Sequence, residues 1–514
     1  MASRPRGAVE PDLDVRKVIE TLEALIADPA LSASLSKEEH VRLMAAAGRL
    51  SRPSKIERLK VSRSIRKEKR RLVLRADRDA LAKTGIREAR KCDVFSAPEK
   101  RLPAPASPPE EVHSPRSCYV CKELYTRLHH FYDGLCPACA ELNYAKRFQT
   151  ADLGGRTALV TGARVKIGYQ AGLKLLRAGA RVLVSTRFPH DAARRYAAEP
   201  DFADWSPRLR IHGLDLRHSP SVEIFARYLH RSESRLDALI NNACQTVRRP
   251  VGFYRHLLDR EALSWKDLPR AERSVLEGHY ECRGLLDRSD PEEPAGGPPR
   301  GLSLLDTRNF GVGIRDSAKL SQIRMTYDDR ACGREAFPEG ALDPDLQQVD
   351  LRTGNSWRMT LWDVPTPELL EVLLINAVGP FVLAARLKPL LLRAGTRDVH
   401  VVNVSAMEGI FSRGTKTDKH PHTNMAKAAL NMMTRTSAAD YARDGIHMNA
   451  VDTGWVTDED PVAHATRKRI EHGFEPPLDI VDGAARILDP LFWGLRTGVH
   501  ASGQFFKDYR PSSW

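Results

Sequence analysis

Aromatic residues are scarce in this chain, at 7% of 514 residues, and none falls among the basic residues of segment 56–91. Stacking on single-stranded bases is therefore not indicated there. No apolar stretch follows Met1, so no secretory signal is expected, and no run is read as long enough to cross a membrane. Cytoplasm is the expected location, with a nuclear one left open by the basic run. Cysteine is sparse as well. Four of the eight (Cys92, Cys244, Cys282 and Cys332) are scattered singly, the pattern of a reducing compartment rather than of a disulfide framework.

What is present is uneven. Residues 56–91 hold fourteen Lys/Arg against five Asp/Glu, a surplus of nine out of a net +14. Ile65-Arg-Lys-Glu-Lys-Arg-Arg71 suits a helix with a ragged apolar face at Leu59, Ile65, Leu72 and Leu74. Nucleic acid, an acidic membrane surface, an acidic protein or plain solvent each fit such a helix. Val15 to Leu50 reads as two amphipathic helical stretches, so residues 1–95 form a helical, basic region, and 96–117 read as a proline-rich linker.

Cys118-Tyr-Val-Cys121 and Cys136-Pro-Ala-Cys139 follow. Two such pairs suit a closed, tetrahedral four-thiolate zinc site, structural rather than catalytic, in a ribbon-like module over 118–145. His129 and His130 lie between the pairs and replace one thiolate or neither.

From residue 151 the pattern changes. Ala158 to Val160 is a short apolar run broken at Gly162, with apolar positions recurring at Ile167, Ala171 and Leu175. That is a strand, a glycine turn and a helix, and such a turn offers backbone N–H groups to a pyrophosphate. Further strands are expected at Arg181–Arg187, Leu209–Leu216, Leu236–Ala243, Val399–Ser405 and Gly445–Val451, with a helix from Thr366-Pro367 to Gly395. Strands alternating with helices imply an α/β fold, a doubly wound parallel sheet of Rossmann type.

The ordered set Thr161-Gly162, Ile167-Gly168, Asp215-Leu216, Asn241-Asn242-Ala243, Asn376, Asn403-Val404-Ser405, Lys427 and Asn449-Ala450-Val451 resembles the short-chain dehydrogenase/reductase family over the last two-thirds of the chain. The resemblance implies a nicotinamide dinucleotide held by the 161–168 turn, including Arg164 and Lys166. Asp215 and Leu216 would flank the adenine, and Asn241 to Ala243 would line the cleft. The second strand closes on Ser185-Thr186-Arg187, without a carboxylate for a ribose hydroxyl, which favours NADP(H) over NAD(H). Lys166 stands where the family has its middle glycine.

The resemblance also implies a tyrosine four residues before Lys427, whose pKa the lysine lowers for proton transfer. That position is Thr423, an aliphatic hydroxyl too weakly acidic for the role. The family's serine falls on Ala406, with Ser405 one place early, and Asn376 takes the place of its asparagine. His420, His422 and Tyr254 are the substitute proton donors considered. Between Ala243 and Asn376 the family has a short connection, so residues of about 245–360 are an insertion read as a lid or partner surface, its Pro291–Gly301 stretch a flexible loop. Arg248 and Arg249 either face the cleft, favouring an anionic substrate, or pair within the insertion.

The expectation is an NADP(H)-binding oxidoreductase that moves hydride to or from a carbonyl or alcohol with a non-standard proton donor. The rival is a catalytically silent, nucleotide-sensing scaffold. A third reading has residues 56–139 binding nucleic acid or another acidic macromolecule. Relatives of the resembled fold commonly pair through helices around Asn376 and Lys427, so a homo-oligomer is expected.

Overall fold

The computed structural model describes residues 14–92, 94–95, 97, 110–287, 311–326, 329–330 and 333–514. It divides into two units after Ala76. The first carries helices α1 (Val15–Ala27) and α2 (Lys37–Ser51), and most of α3 (Lys55–Ala82), which runs on into the second. Asp14 caps α1, and Ser36 with Glu39 forms a reciprocal capping box on α2. Ile56, Leu59, Ile65, Leu72 and Leu74 of α3 are all exposed among its basic residues.

The second unit opens with a hairpin, β1 (Glu111–Ser117) and β2 (Leu124–Arg127), followed by α4 (Pro137–Arg147). The linker reading therefore needs correction at its end. Residues 98–109 lie outside the described residues, but Glu111–Ser117 is a strand. Val112 is buried, and the Asp77 carboxylate accepts from the His113 and Ser114 N–H groups at 2.6 and 3.2 Å, so side-chain partners order a segment that composition reads as loose.

The main body alternates strands and helices: β3 (Thr157–Thr161), α5 (Lys166–Arg177), β4 (Arg181–Thr186), β5 (Leu209–Gly213), α6 (Ser219–Ser232), β6 (Ala238–Asn241), α7 (Arg270–Asp287), α8 (Thr366–Leu373), a π turn over Leu374–Val378, α9 (Gly379–Leu392), β7 (Val399–Ser405), α10 (Pro421–Arg443), β8 (Ile446–Asp452), α11 (Ile480–Thr497), β9 (Phe505–Lys507) and β10 (Arg510–Ser512). The sheet order is β10-β9-β8-β7-β6-β3-β4-β5, parallel except for the terminal β9–β10 pair. The doubly wound parallel sheet is as expected. All six expected strands are present; β9 and β10 are additional.

The apolar runs are continuous because both sheet faces are covered. Neighbouring residues point to opposite sides. Leu159, Leu183, Leu239 and Val401 pack with α6 and α9 residues such as Phe225 and Leu387, while Val160, Val182, Ile240 and Val402 pack with Leu176 of α5 and Leu488 of α11. Each such buried side chain contributes about 1.5–3 kcal/mol.

Two expectations change. The helical stretch Thr366–Leu392 is long and apolar enough to cross a membrane by length and composition, which the sequence reading did not credit. Half of its most apolar window is buried, with Leu383, Leu387 and Leu391 fully so against the sheet. The insertion, in turn, is more than a lid. Val275 and Leu276 of α7 join the core beside Leu209 and Ile211, and the His279 ring lies against Gly213 of the edge strand β5. Residues 291–301 lie outside the described residues.

Candidate coenzyme and catalytic cleft

Strand order reverses between β3 and β6, so the turns leaving these two strands diverge and open a crevice at their carboxyl ends. A cleft of about 1390 Å³ occupies this place. Gly162 follows β3 with φ +66, and an added Cβ would stand 2.8 Å from Ala243 Cα; at Gly168 it would stand 2.5 Å from the Gly162 carbonyl oxygen. Only glycine allows these approaches. Asn242 Nδ2 donates to the Thr161 and Gly162 carbonyls at 3.0 and 3.2 Å, tying the two turns together. Lys166 begins α5 at φ +56, a left-handed conformation where a side chain is strained, which accounts for glycine at the equivalent family position.

Most of the expected coenzyme residues reach the wall: Gly162, Arg164, Lys166, Ile167, Gly168, Thr186, Arg187, Asp215, Leu216, Asn242, Ala243 and Lys427. Thr161 and Asn241 do not. Thr161 Oγ1 accepts from Ala243 N at 3.0 Å, and Asn241 donates to Asn403 Oδ1 at 2.8 Å, so both brace the strands beneath. Arg164 is also committed elsewhere, pairing at 2.7 Å with Asp191, which Arg194 and Arg195 share. Arg187 Nη2 donates to the Tyr254 hydroxyl at 2.8 Å with its guanidinium over that ring, and among the described residues no carboxylate pairs with it. Asp215 is fully buried and bound by Arg217 at 2.6 Å.

At the catalytic end, Lys427, Thr423, Ser405 and Ala406 all line the cleft. Lys427 Nζ donates to the Val404 carbonyl at 2.8 Å, Thr423 Oγ1 donates to the Thr246 carbonyl at 3.3 Å, and Ser405 Oγ donates to Asn431 at 2.6 Å. Asn376 stays behind the wall, on the π turn, where its amide exchanges two 2.9 Å hydrogen bonds with the Gln245 backbone. The three substitute proton carriers separate. Tyr254 lies with Arg187, beside the second-strand end. His422 is buried outside the cleft lining, 3.8 Å from Glu368, and burial pushes its pKa down to about 4. His420 lines the cleft, stacked flat on Trp357 at 3.9 Å, and burial lowers its pKa too.

Arg248 and Arg249 follow the pairing alternative. Arg248 bonds Asp329 at 2.9 and 2.8 Å and Glu371 at 3.2 Å, away from the cleft; Arg249 lines the cleft but pairs with Asp350 at 2.6 Å.

The four ligand atoms of Cys118, Cys121, Cys136 and Cys139 lie within 4.8 Å of one another, with Cys121 and Cys136 sulfurs 3.6 Å apart. Sulfurs around tetrahedral zinc at ~2.3 Å would stand about 3.8 Å apart, so this donor set fits the ion. His129 is turned elsewhere: its Nδ1 accepts from the Phe131 N–H at 3.1 Å. The scaffold is a hairpin and a helix, with Cys136 at the helix N-cap.

Sequence reasoning missed three wall residues. Asp452 ends β8 opposite Ser405, and burial raises its carboxyl to about 6. Trp357 of the insertion stacks on His420, and Tyr119 arrives from between the paired cysteines. Only Asp452 had a sequence signal, as the residue directly after Asn449-Ala450-Val451.

Residues 156–259 match the family model described as short chain dehydrogenase, and residues 353–474 match the one described as enoyl-(acyl carrier protein) reductase, on either side of the insertion. The chain belongs to the short-chain dehydrogenase/reductase family. The uncharacterized protein R665 of Acanthamoeba polyphaga mimivirus is 30% identical over 390 residues, 74% of this chain and 72% of that one, so the likeness reaches beyond the sheet domain. Dehydrogenase/reductase SDR family member 13 of Bos taurus is 42% identical over 161 residues, 29% of this chain and 42% of the relative. Retinol dehydrogenase 13 of Mus musculus is 37% identical over 95 residues, 18% and 28%. The chain matches under half the length of these two named dehydrogenases.

Proposed function

We propose that this short-chain dehydrogenase/reductase binds NADP(H) and interconverts a carbonyl and an alcohol, with His420 as its proton carrier. The observation that carries the reading is the single cleft wall gathering the glycine turn, Arg187 and Lys427 at the strand-order reversal. The Gly162 and Gly168 cradle fits a pyrophosphate, and Arg187 fits a ribose 2′-phosphate, placing NAD(H) second. When bound, the coenzyme supplies or accepts the hydride. Lys427 would hold the ribose hydroxyls.

His420 directly precedes α10, whose first turns carry Asn424 and Lys427, and all three line the cleft. It caps α10 at φ 42, a strained conformation of the kind that collects at functional sites, and its Nδ1 is buried without a hydrogen-bond partner. A depressed pKa keeps the ring neutral at pH 7, suited to taking a proton from an alcohol. NADPH titration followed by substrate-dependent NADPH oxidation, lost in Lys427→Ala and in His420→Ala, tests this. No affinity for either nicotinamide coenzyme sinks it.

A second reading, the silent nucleotide-binding scaffold, draws support from Lys427 and Thr423 both being spent on backbone carbonyls. It is favoured if NADPH binds but no carbonyl or alcohol panel turns over. Structural zinc on the four cysteines belongs to both readings, as does an acidic macromolecule at α3, tested by salt-dependent retention on nucleic acid. Pairing between copies is proposed through α9 and α10, where Phe381, Met425 and Met432 are more than half exposed.

A further inference from the structure

We propose that the four-cysteine knuckle is a working wall of the coenzyme cleft, so that metal loading sets how tightly the coenzyme binds; this rests on the NADP(H) reading above. Tyr119, between the first two cysteines, lines the same cleft as Gly162 and Lys427. Its hydroxyl accepts from the Trp455 N–H at 3.0 Å, 336 residues away, and so props the loop leaving β8. Lys122 folds back at φ 68, donating to the Tyr119 carbonyl at 2.6 Å, and also lines the cleft.

Two parts of the cleft wall meet the knuckle's apolar core. Ile167, at the start of the pyrophosphate helix, and Val456, in the loop after β8, pack in one cluster with Cys118, Tyr119 and Val120. The knuckle is clamped behind: Tyr132 donates to Asp482 at 2.5 Å, and Arg147 pairs with Asp479 and Asp482 at 2.6 and 2.9 Å. Without an ion nothing ties the four sulfurs together, so the Cys118–Cys121 turn is released, and with it Tyr119. The loosening passes to both ends of the coenzyme site.

The test uses the full chain. Metal content is measured by chelator release, NADPH affinity by fluorescence titration, and backbone order by hydrogen exchange at 166–168 and 452–457. Stripped protein is expected to bind NADPH about tenfold weaker or worse and to recover on added zinc, while Tyr119→Ala keeps its metal yet binds about tenfold weaker, the scale of one lost hydrogen bond with its ring packing. Both should exchange faster at 452–457. Tyr119→Ala with wild-type affinity and wild-type exchange overturns the coupling. If metal-loaded wild type binds no NADPH, the coenzyme reading fails; faster exchange at 452–457 in stripped protein and in Tyr119→Ala then still upholds the knuckle's bracing of the cleft wall, and unchanged exchange overturns it.

Discussion

Replacing Arg248 by methionine should loosen the insertion, whose Asp329 segment it holds together and whose one tie through this side chain to α8 is Glu371. The guanidinium is 6% exposed and holds Asp329 through two hydrogen bonds of 2.9 and 2.8 Å and Glu371 through one of 3.2 Å. Burial alone would raise the Asp329 carboxyl; the Arg248 hydrogen bonds and the Met325 and Thr326 N–H groups outweigh it and hold the pKa at about 2, against an ordinary 3.8. That depression corresponds to roughly 2.4 kcal/mol, shared among these partners. Glu371 also loses a partner, and breaking a buried ion pair from one side costs about 3–5 kcal/mol. A loss of about 3 kcal/mol is therefore expected for Arg248→Met at pH 7. Because the folded carboxyl is depressed, its contribution is present above the ordinary value and is lost as pH falls from about 4 through about 2. The gap between wild type and variant should close over that window. Urea unfolding, with amide exchange at Met325 and Thr326, reads both effects. A loss under about 1 kcal/mol with unchanged amide protection would refute the reasoning.

Two further substitutions probe the cleft. Asp452 is raised to about 6 by burial, so the folded state holds an extra proton between about pH 4 and 6, and wild-type stability should fall as pH rises through that interval. Asp452→Asn should abolish that slope and stabilise the protein at pH 7 by roughly 3 kcal/mol, as followed by denaturant midpoints from pH 4 to 7; a variant with the wild-type slope refutes it. Lys166→Gly relieves a left-handed side-chain conformation at φ +56 and should raise stability by about 1 kcal/mol, whereas a lowered midpoint would show that the lysine is held there by contacts worth more than the strain.

The six central strands were legible because each is a short apolar run between breakers, and a sheet covered on both faces leaves no other use for such runs. The three-residue strands β9 and β10 were not, since Phe505–Lys507 and Arg510–Ser512 are too short to carry a period. The glycine turn, Lys427 and the four cysteines were legible from spacing, because each rests on local backbone geometry. Partners across the chain were not: nothing near Arg248 in sequence points to Asp329.

The sequence by itself determined the sheet, the pyrophosphate turn, the loss of the phenol at Thr423 and the pairing of the cysteines, all set by residues within a few positions of one another. Only the tertiary structure decided that His420 rather than His422 faces the cleft, that Arg248 is spent inside the insertion, and that Tyr119 touches Trp455. Those outcomes depend on which surfaces meet when distant segments pack, and hydrophobic packing is non-directional, so it leaves no local mark in the order of residues.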